Sequence, residues 1–169
     1  MKKIIQRYPV SVIVPMRNSS TTVIETLKSI LKQNYPIEEI IVVDNASTDD
    51  SVSKVKKFKQ KIKFRRVRVI EQSANHGVGA SYNLGVKLAV SKYVIFMHSD
   101  STLLTKNQLT MLVAPIQADA SIVATYSHVI VPLSIWKKYP FWEKCLLSTS
   151  VGKETAGLNG KFDCINKSI

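Results

Sequence analysis

The sequence contains little cysteine, few acidic residues and no long apolar run, and each shortage excludes a class of protein. Its two cysteines, Cys145 and Cys164, are too few for a disulfide framework, and no C-x-x-C or Cys/His cluster indicates a zinc site. This usage is typical of a reducing compartment. No 18 consecutive residues are apolar, so we expect no transmembrane helix. The basic amino terminus precedes no apolar run that fits a signal peptide, which favours a cytoplasmic location.

The charge balance is strongly one-sided. Lysine and arginine number 24 against 12 acidic residues, which gives a net charge of +12. Such an excess favours an anionic partner, whether a nucleotide, a nucleic acid or a membrane surface. Apolar residues make up 45% of the chain, too many for a disordered protein. The length of 169 residues predicts a single domain over residues 1–169.

Apolar runs alternate with stretches of helical spacing along the chain. The runs predict strands at Val10–Pro15, Glu39–Asp44, Arg65–Glu71, Tyr93–Met97 and Ser121–Val131. The helical spacing predicts helices at Thr21–Gln33, Ser51–Gln60, Val78–Val90 and Asn107–Ala118, and Leu133–Leu147 is expected to be helical or irregular. This alternation predicts an α/β fold with a mostly parallel sheet, in which ligands bind at the carboxyl ends of the strands.

Polar side chains follow two of the predicted strands at that edge. Asp44 and Asn45 would either form a cap or turn, or accept hydrogen bonds from a nucleotide base or ribose. Asp100 could hold a divalent cation on a diphosphate, since Mg²⁺ and Mn²⁺ need only one or two carboxylates when phosphates and water complete the shell. His98 could bind a softer cation such as Mn²⁺, donate to a phosphate, or merely cap its strand.

Two glycines, Gly77 and Gly79, open a predicted helix in the manner of the dinucleotide-binding fingerprint G-x-G-x-x-G. The third glycine would fall at Tyr82, and the segment follows the third predicted strand rather than the first. We therefore reject a dinucleotide site here. The small residues are instead expected to allow close packing of helix on sheet, or close approach of the backbone to a ligand.

Several short motifs follow one another along the chain. They are Ser11–Pro15 with Asn18; Leu27, Ser29, Ile30 and Gln33; Ile40–Asp49; Asn75–Gly77, Ala80 and Asn83–Gly85; Phe96–Ser101; and Gly157–Phe162. Each motif is weak alone, but their order and approximate spacing together are specific. In this order they resemble the motifs of the family-2 glycosyltransferases with the GT-A fold, with Phe96–Ser101 at the place of the family's D-x-D motif.

The resemblance implies a sugar transfer from a nucleotide-diphosphate sugar to a hydroxyl of a glycan, lipid-linked or protein acceptor. It implies a divalent cation, Mn²⁺ or Mg²⁺, as cofactor. The implied donor-binding residues are Pro15, Asn18, Asp44, Asn45, Asn83 and Asp100, with Asp100 and His98 at the metal.

Two features depart from the family pattern. His98 replaces the first aspartate of D-x-D, which is expected to weaken the metal site or to change its preference. No Glu-Asp pair follows Asp100 before the chain ends at Ile169, so no catalytic base is assigned, and Asp163 is not given that role. We expect a domain that is incomplete at its carboxyl end. A non-catalytic nucleotide- or sugar-binding relic, or one half of a split enzyme, is the alternative.

The basic stretch Lys54–Arg68 lies outside every matched motif. It holds nine of the 24 basic residues and no acid. It fits a solvated helix face followed by a charged edge strand, or a peripheral contact with an anionic membrane. A membrane-surface or nucleic-acid binding module is thus a second alternative function. The stretch has no groove-entering motif and no aromatic platform on which bases could stack, so we do not expect nucleic acid as its partner.

Overall fold

The structure, a computed structural model, describes residues 7–64, 66–127, 137–138, 140 and 162–168. Six strands of this part of the chain form one sheet in the order β3-β2-β1-β4-β6-β5. The strands are β1 Val10–Met16, β2 Ile37–Asp44, β3 Val67–Glu71, β4 Tyr93–Met97, β5 Ala124–Tyr126 and β6 Phe162–Asn166. Strands β3, β2, β1 and β4 run parallel, whereas β6 is antiparallel to both of its neighbours.

Four helices of the described chain follow successive strands. They are α1 Val23–Leu31, α2 Ser51–Lys61, α3 Gly77–Leu88 and α4 Gln108–Ala118. None of the described helices is long and apolar enough to cross a membrane. The predicted α/β architecture with a mostly parallel sheet is therefore confirmed.

The core has two layers because side chains of a strand alternate between the two faces of the sheet. Val12 and Val14 of β1 pack on one face in the cluster that includes Leu27 of α1 and Val55 of α2. Ile13, between them, belongs to the cluster on the other face, beneath α3. Both faces are thus covered, which explains why β1 is buried along its whole length.

Gly85 allows α3 to lie close to the sheet. A Cβ atom at this position would come within 2.3 Å of Cγ2 of Ile13, far inside van der Waals contact. Ile13 is completely buried, so it has little room to move away. Of the three glycines of this segment, Gly85 therefore serves close helix–sheet packing, whereas a Cβ atom at Gly77 or Gly79 would meet no atom within 4 Å.

A buried carboxylate holds the strands together at the end of the sheet remote from the polar loops. Glu39 accepts hydrogen bonds from the Ser11 hydroxyl at 3.0 Å, the Val90 amide at 2.9 Å and the Arg68 guanidinium at 3.0 Å. Burial alone would raise the pKa of Glu39, but these hydrogen bonds together lower it. Arg68, which belongs to the basic stretch Lys54–Arg68, thus has a structural role in holding Glu39.

The carboxyl-terminal part differs most from the prediction. The strand expected at Ser121–Val131 begins only at Ala124, and its last four residues lie outside the described chain. The Leu133–Leu147 prediction and the glycine-rich segment before Phe162 also lie outside, apart from three isolated positions. Strand β6 was not predicted. It carries Cys164, whose burial raises the thiol pKa to about 12 and leaves it unreactive at neutral pH.

Candidate functional site

A cleft of about 470 Å³ opens at the carboxyl ends of β1 and β4. The chain runs outward from β1 through β2 to β3 and then returns to β4 on the other side of β1. Such a switch point is where open α/β sheets bind their ligands. The cleft is lined by Pro15, Met16, Arg17, Asn18, Ser19, Thr21, Thr22, Asn45, Val78, His98, Ser99 and Asp100.

The structure brings most of the predicted site residues together. Those in the lining are Pro15, Asn18, Asn45, His98 and Asp100. Asp44 ends β2 as a buried residue and is not in the lining. Asn83 is exposed on α3 and is likewise outside the lining. Its contact with the sugar and phosphate therefore stays a prediction.

Asn18 joins the loop after β1 to the loop after β2. It adopts a left-handed backbone conformation, with φ at 49°. Its side-chain Oδ1 accepts from the Thr48 amide at 2.8 Å, and its own amide donates to the Ser47 hydroxyl at 2.9 Å. Asparagine suits both demands, because it tolerates positive φ and mimics backbone hydrogen bonds. Asn18 thus shapes the cleft wall in addition to lining it.

A second link between the same loops is made by Asp49. Its Oδ2 accepts from the Ser20 amide at 3.1 Å, and its Oδ1 accepts from both the amide and the hydroxyl of Ser51. The hydroxyl bond from Ser51 is the main cause that lowers the pKa of Asp49 to about 2. Asp49 is therefore ionised at neutral pH and fixes the start of α2.

The two side-chain carboxylate oxygens of Asp44 differ in their hydrogen bonding. Its Oδ2 accepts from the Ser47 amide at 3.1 Å. Its Oδ1 is buried and has no hydrogen-bond partner among the described residues. A buried acceptor without a donor is costly, and natural proteins keep few of them. This oxygen is therefore a candidate acceptor for a donor group of a ligand.

Asn45 connects the end of β2 to the start of α3. Its Oδ1 accepts from the His76 amide at 2.9 Å, and its Nδ2 donates to Oδ1 of Asn75 at 2.7 Å. Asn75 in turn accepts from the amide of Gly77, the first residue of α3, at 3.0 Å. This chain of amides places Val78 at the rim of the cleft.

His98 and Asp100 lie together where β4 ends. His98 Nδ1 and Asp100 Oδ1 are 4.0 Å apart, and 31% and 61% of the two side chains are exposed. No group of three or more His, Cys, Asp or Glu that could hold a metal occurs among the described residues. Two ligands are nevertheless enough when substrate phosphates and water supply the others. The donor set, one carboxylate and one imidazole facing a polar cleft, thus fits a divalent cation bound together with a diphosphate.

The predicted site residues do not include several residues of the cleft lining. Arg17 is one of them, and the hydroxyls of two others, Ser19 and Ser99, lie 2.8 Å apart and join the loops after β1 and β4. The signal that could have found them is their adjacency to Asn18 and Asp100, since neighbours in a short loop share its cleft.

The sheet order and the cleft define a GT-A glycosyltransferase fold. The chain matches the family model for glycosyl transferase family 2 over residues 11–164 and belongs to that family. It is 34% identical to glycosyltransferase GlyG of Streptococcus pneumoniae over 115 residues, 68% of this chain and 37% of that protein. It is 37% identical to an uncharacterized glycosyltransferase of Rickettsia felis over 99 residues, 59% of this chain and 16% of that protein.

Solved structures give the same result. TarS of S. aureus, residues 1–349 in complex with UDP-GlcNAc, is 31% identical with a TM-score of 0.58, covering 73% of this chain and 33% of that one. The mannosyltransferase PcManGT from Pyrobaculum calidifontis, in complex with GDP-Man and Mn²⁺, has a TM-score of 0.75 at 24% identity, covering 95% of this chain and 45% of that one. The chain thus spans less than half the length of each of these relatives.

Proposed function

We propose that this chain binds the donor of a glycosyltransferase reaction, in which a sugar passes from a nucleotide-diphosphate sugar to an acceptor hydroxyl with the help of a divalent cation. The observation that carries the proposal is the cleft at the switch point between β1 and β4, lined by His98, Asp100 and Asn45 in a family 2 chain. The UDP-GlcNAc bound by TarS and the GDP-Man and Mn²⁺ bound by PcManGT support it.

The nucleotide would lie over the ends of β1 and β2. The orphan Oδ1 of Asp44 is suited to accept from a base N–H or a ribose hydroxyl. Pro15, Asn18 and Asn45 would form the surrounding wall. A ribose or base contact satisfies the buried oxygen of Asp44, which makes this position selective for a ligand with a donor group.

The diphosphate would lie at the end of β4. Asp100 and His98 are the residues that would hold the cation. When bound, such an ion neutralises the charge that develops on the leaving nucleoside diphosphate. Arg17 in the lining adds a second positive group on the same cleft. The acceptor would be a glycan, a lipid-linked molecule or a protein, and no described residue is assigned the role of base.

Calorimetry with UDP, GDP and dTDP, with and without Mn²⁺, tests this function. We expect binding of at least one nucleotide and tighter binding with Mn²⁺. Asp100→Ala should bring the two affinities together, because it removes the carboxylate that joins the ion to the protein. Asp119→Ala, at an exposed turn after α4, is the matched control and should keep the metal effect. The absence of nucleotide binding would contradict the function, whereas a missing Mn²⁺ effect would contradict the metal site alone.

The replacement of an aspartate by His98 favours a second candidate, a nucleotide-binding protein without transferase activity. This candidate predicts the same calorimetric result but no hydrolysis of a nucleotide sugar and no transfer by the isolated chain. Turnover that depends on Asp100 would exclude it. The two candidates therefore separate on product formation, not on binding.

We also propose that the basic stretch Lys54–Arg68 contacts an anionic membrane surface. Four of its members form ion pairs with acidic residues of the same chain. These pairs are Lys54–Asp50 at 3.2 Å, Lys56–Glu71 at 2.6 Å, Arg66–Glu38 and Arg68–Glu39 at 3.0 Å. Four exposed lysines make no ion pair with a described residue, namely Lys57, Lys59, Lys61 and Lys63. Three of them lie on α2 and Lys63 lies just after it, and exposed lysines without a groove-entering motif suit an anionic bilayer better than a nucleic acid.

Vesicle sedimentation tests the membrane proposal. Each lysine near an anionic surface contributes about 1 kcal/mol, so replacing the four by glutamine should nearly abolish binding to phosphatidylserine vesicles at low salt. The control replaces Lys32, Lys87, Lys92 and Lys106, which are also exposed, by glutamine and so changes the net charge equally. Equal losses in both variants, or tighter binding to single-stranded RNA than to vesicles, would contradict the proposal.

A further inference from the structure

Helix α1 carries polar side chains on the face that it buries. Thr26 and Ser29 are buried beside Leu27 and Ile30, and Gln33 follows just past the helix end on the same side. Their spacing of three and then four residues places all three in one row along the helix. A hydroxyl buried inside a helix is satisfied by a carbonyl of the preceding turn, by a tertiary partner, or by both, and this row uses both kinds of partner.

Within the helix, the Ser29 hydroxyl donates to the Thr26 carbonyl at 2.8 Å, and Thr26 is 3.5 Å from the Thr22 carbonyl. The partners outside the helix lie in the segment that follows β4. Residues 99–109 run along this row, and the contacts use main-chain atoms of that segment. Thr26 Oγ1 donates to the Ser99 carbonyl at 2.9 Å, Ser29 Oγ accepts from the Leu103 amide at 3.1 Å, and Gln33 donates to the Thr105 carbonyl at 2.6 Å and accepts from the Leu109 amide at 3.1 Å.

The first of these contacts reaches the candidate metal ligands. Ser99 lies between His98 and Asp100, and its carbonyl accepts from Thr26 while its hydroxyl is 2.8 Å from that of Ser19. The backbone that carries Asp100 is therefore fixed from both sides by side chains of the β1–α1 region.

We propose that Thr26, Ser29 and Gln33 form a polar ladder that positions His98 and Asp100 for the cation and its diphosphate. The inference rests on the proposed function and goes beyond it, because it assigns a role to residues that touch neither ligand. Thr26 is the positioning residue nearest the site. Contacts of this kind fix the geometry of ligands, and their loss typically weakens metal affinity by about 10–100-fold.

A similar hydrogen bond in another part of the fold provides a control, because its loss affects stability without affecting the position of the candidate metal ligands. The Thr125 hydroxyl of β5 donates to the Leu112 carbonyl of α4 at 2.7 Å. Thr125→Val and Thr26→Val thus remove the same kind of hydroxyl-to-carbonyl bond, one far from the cleft lining and one beside it. Thr26→Ser keeps the hydroxyl and serves as the rescue.

The experiment measures Mn²⁺ binding to the full chain by electron paramagnetic resonance in the presence of UDP, and UDP binding without metal by calorimetry. Thr26→Val should weaken Mn²⁺ affinity about tenfold or more and leave metal-free UDP affinity within about twofold. Thr26→Ser and Thr125→Val should both keep the Mn²⁺ affinity of the unsubstituted chain. Hydrogen exchange at Leu103 and Leu109 should accelerate in Thr26→Val and not in Thr125→Val, which gives a readout without metal.

Ser29→Ala provides a second variant in case Thr26→Val does not fold. It removes the acceptor for the Leu103 amide together with one bond inside α1, to the Thr26 carbonyl. It should also weaken Mn²⁺ affinity without changing metal-free UDP binding. If Thr26→Val or Ser29→Ala behaves as Thr125→Val does, the ladder is merely structural and the inference is wrong. If the unsubstituted chain binds UDP with the same affinity with and without Mn²⁺, the proposed metal site is wrong, and the proposed positioning role is then wrong as well.

Discussion

Asp44→Asn is expected to weaken UDP or GDP binding at least tenfold while changing the stability of the fold little. The asparagine carbonyl can still accept from the Ser47 amide, as Oδ2 of Asp44 does at 3.1 Å. At the other oxygen, which has no described partner, the substitution replaces an acceptor by an NH₂ donor. A ligand N–H or O–H would then face a donor. Losing a hydrogen bond to a charged group costs about 1.5–3 kcal/mol, which corresponds to at least a tenfold change.

Calorimetry without metal isolates this effect from the cation. Asp119→Asn is the matched control, because Asp119 also accepts a main-chain amide, that of Ser121 at 2.8 Å, and lies away from the cleft. Thermal unfolding of both variants reports on the loops. Unchanged nucleotide affinity in Asp44→Asn would show that the buried oxygen does not meet the ligand, and the base would have to bind elsewhere.

Gly85→Ala is expected to lower the free energy of unfolding by up to about 2 kcal/mol, the cost of overpacking less the gain in helix propensity. Alanine is a better helix former than glycine by about 1 kcal/mol, so an unconstrained site in α3 would gain stability. At Gly85 the added Cβ would lie 2.3 Å from Cγ2 and 2.9 Å from Cδ1 of the buried Ile13. Overpacking of this kind typically costs about 1–3 kcal/mol, and here it must also cancel the helix gain.

Gly79→Ala gives the opposite expectation in the same helix. No atom lies within 4 Å of a Cβ built at Gly79. We therefore expect this variant to be as stable as the unsubstituted chain, or more stable by up to about 1 kcal/mol. Urea unfolding of the two variants measures both values. Equal effects at Gly79 and Gly85 would mean that α3 can move away from the sheet, and that Gly85 is not needed for close packing.

The local part of the fold was predictable from the sequence. Strand Tyr93–Met97 has the predicted bounds, because a run of apolar residues between turns leaves little choice of structure. The helix predicted at Ser51–Gln60 is found at Ser51–Lys61. Its apolar residues Val52, Val55 and Phe58 recur at helical spacing and belong to or pack against one core cluster.

Strand β6 was not predictable for a physical reason. Its sequence places Asp163 at a buried position, so its polarity pattern does not resemble that of a buried strand. Its pairing with β4 also joins residues far apart in the chain, such as Phe96 and Asp163, and no local propensity records such a contact.

The location of the site was predictable from the sequence, because it depends on which strands of the sheet end beside one another. The loops holding Asn18, Asn45 and Asp100 converge because three parallel strands end at one edge of the sheet. The orphan oxygen of Asp44 and the ladder from α1 were not predictable, since both depend on distances between side chains and distant main-chain atoms. The resemblance to a family supplied the identity of the residues, and the structure supplied their partners.

The place of β6 in the sheet also sets an order for folding during synthesis. Residues up to Met97 can form the four parallel strands as they leave the ribosome, but the free edge of β4 stays uncovered until Phe162 and its neighbours follow. At a synthesis rate of about 5–20 residues per second, the edge of β4 therefore stays unpaired for several seconds. Among the described strands, β5 pairs with β6 alone, so it also cannot pair until β6 has been synthesised. We expect the nascent chain to be most prone to aggregation in this interval.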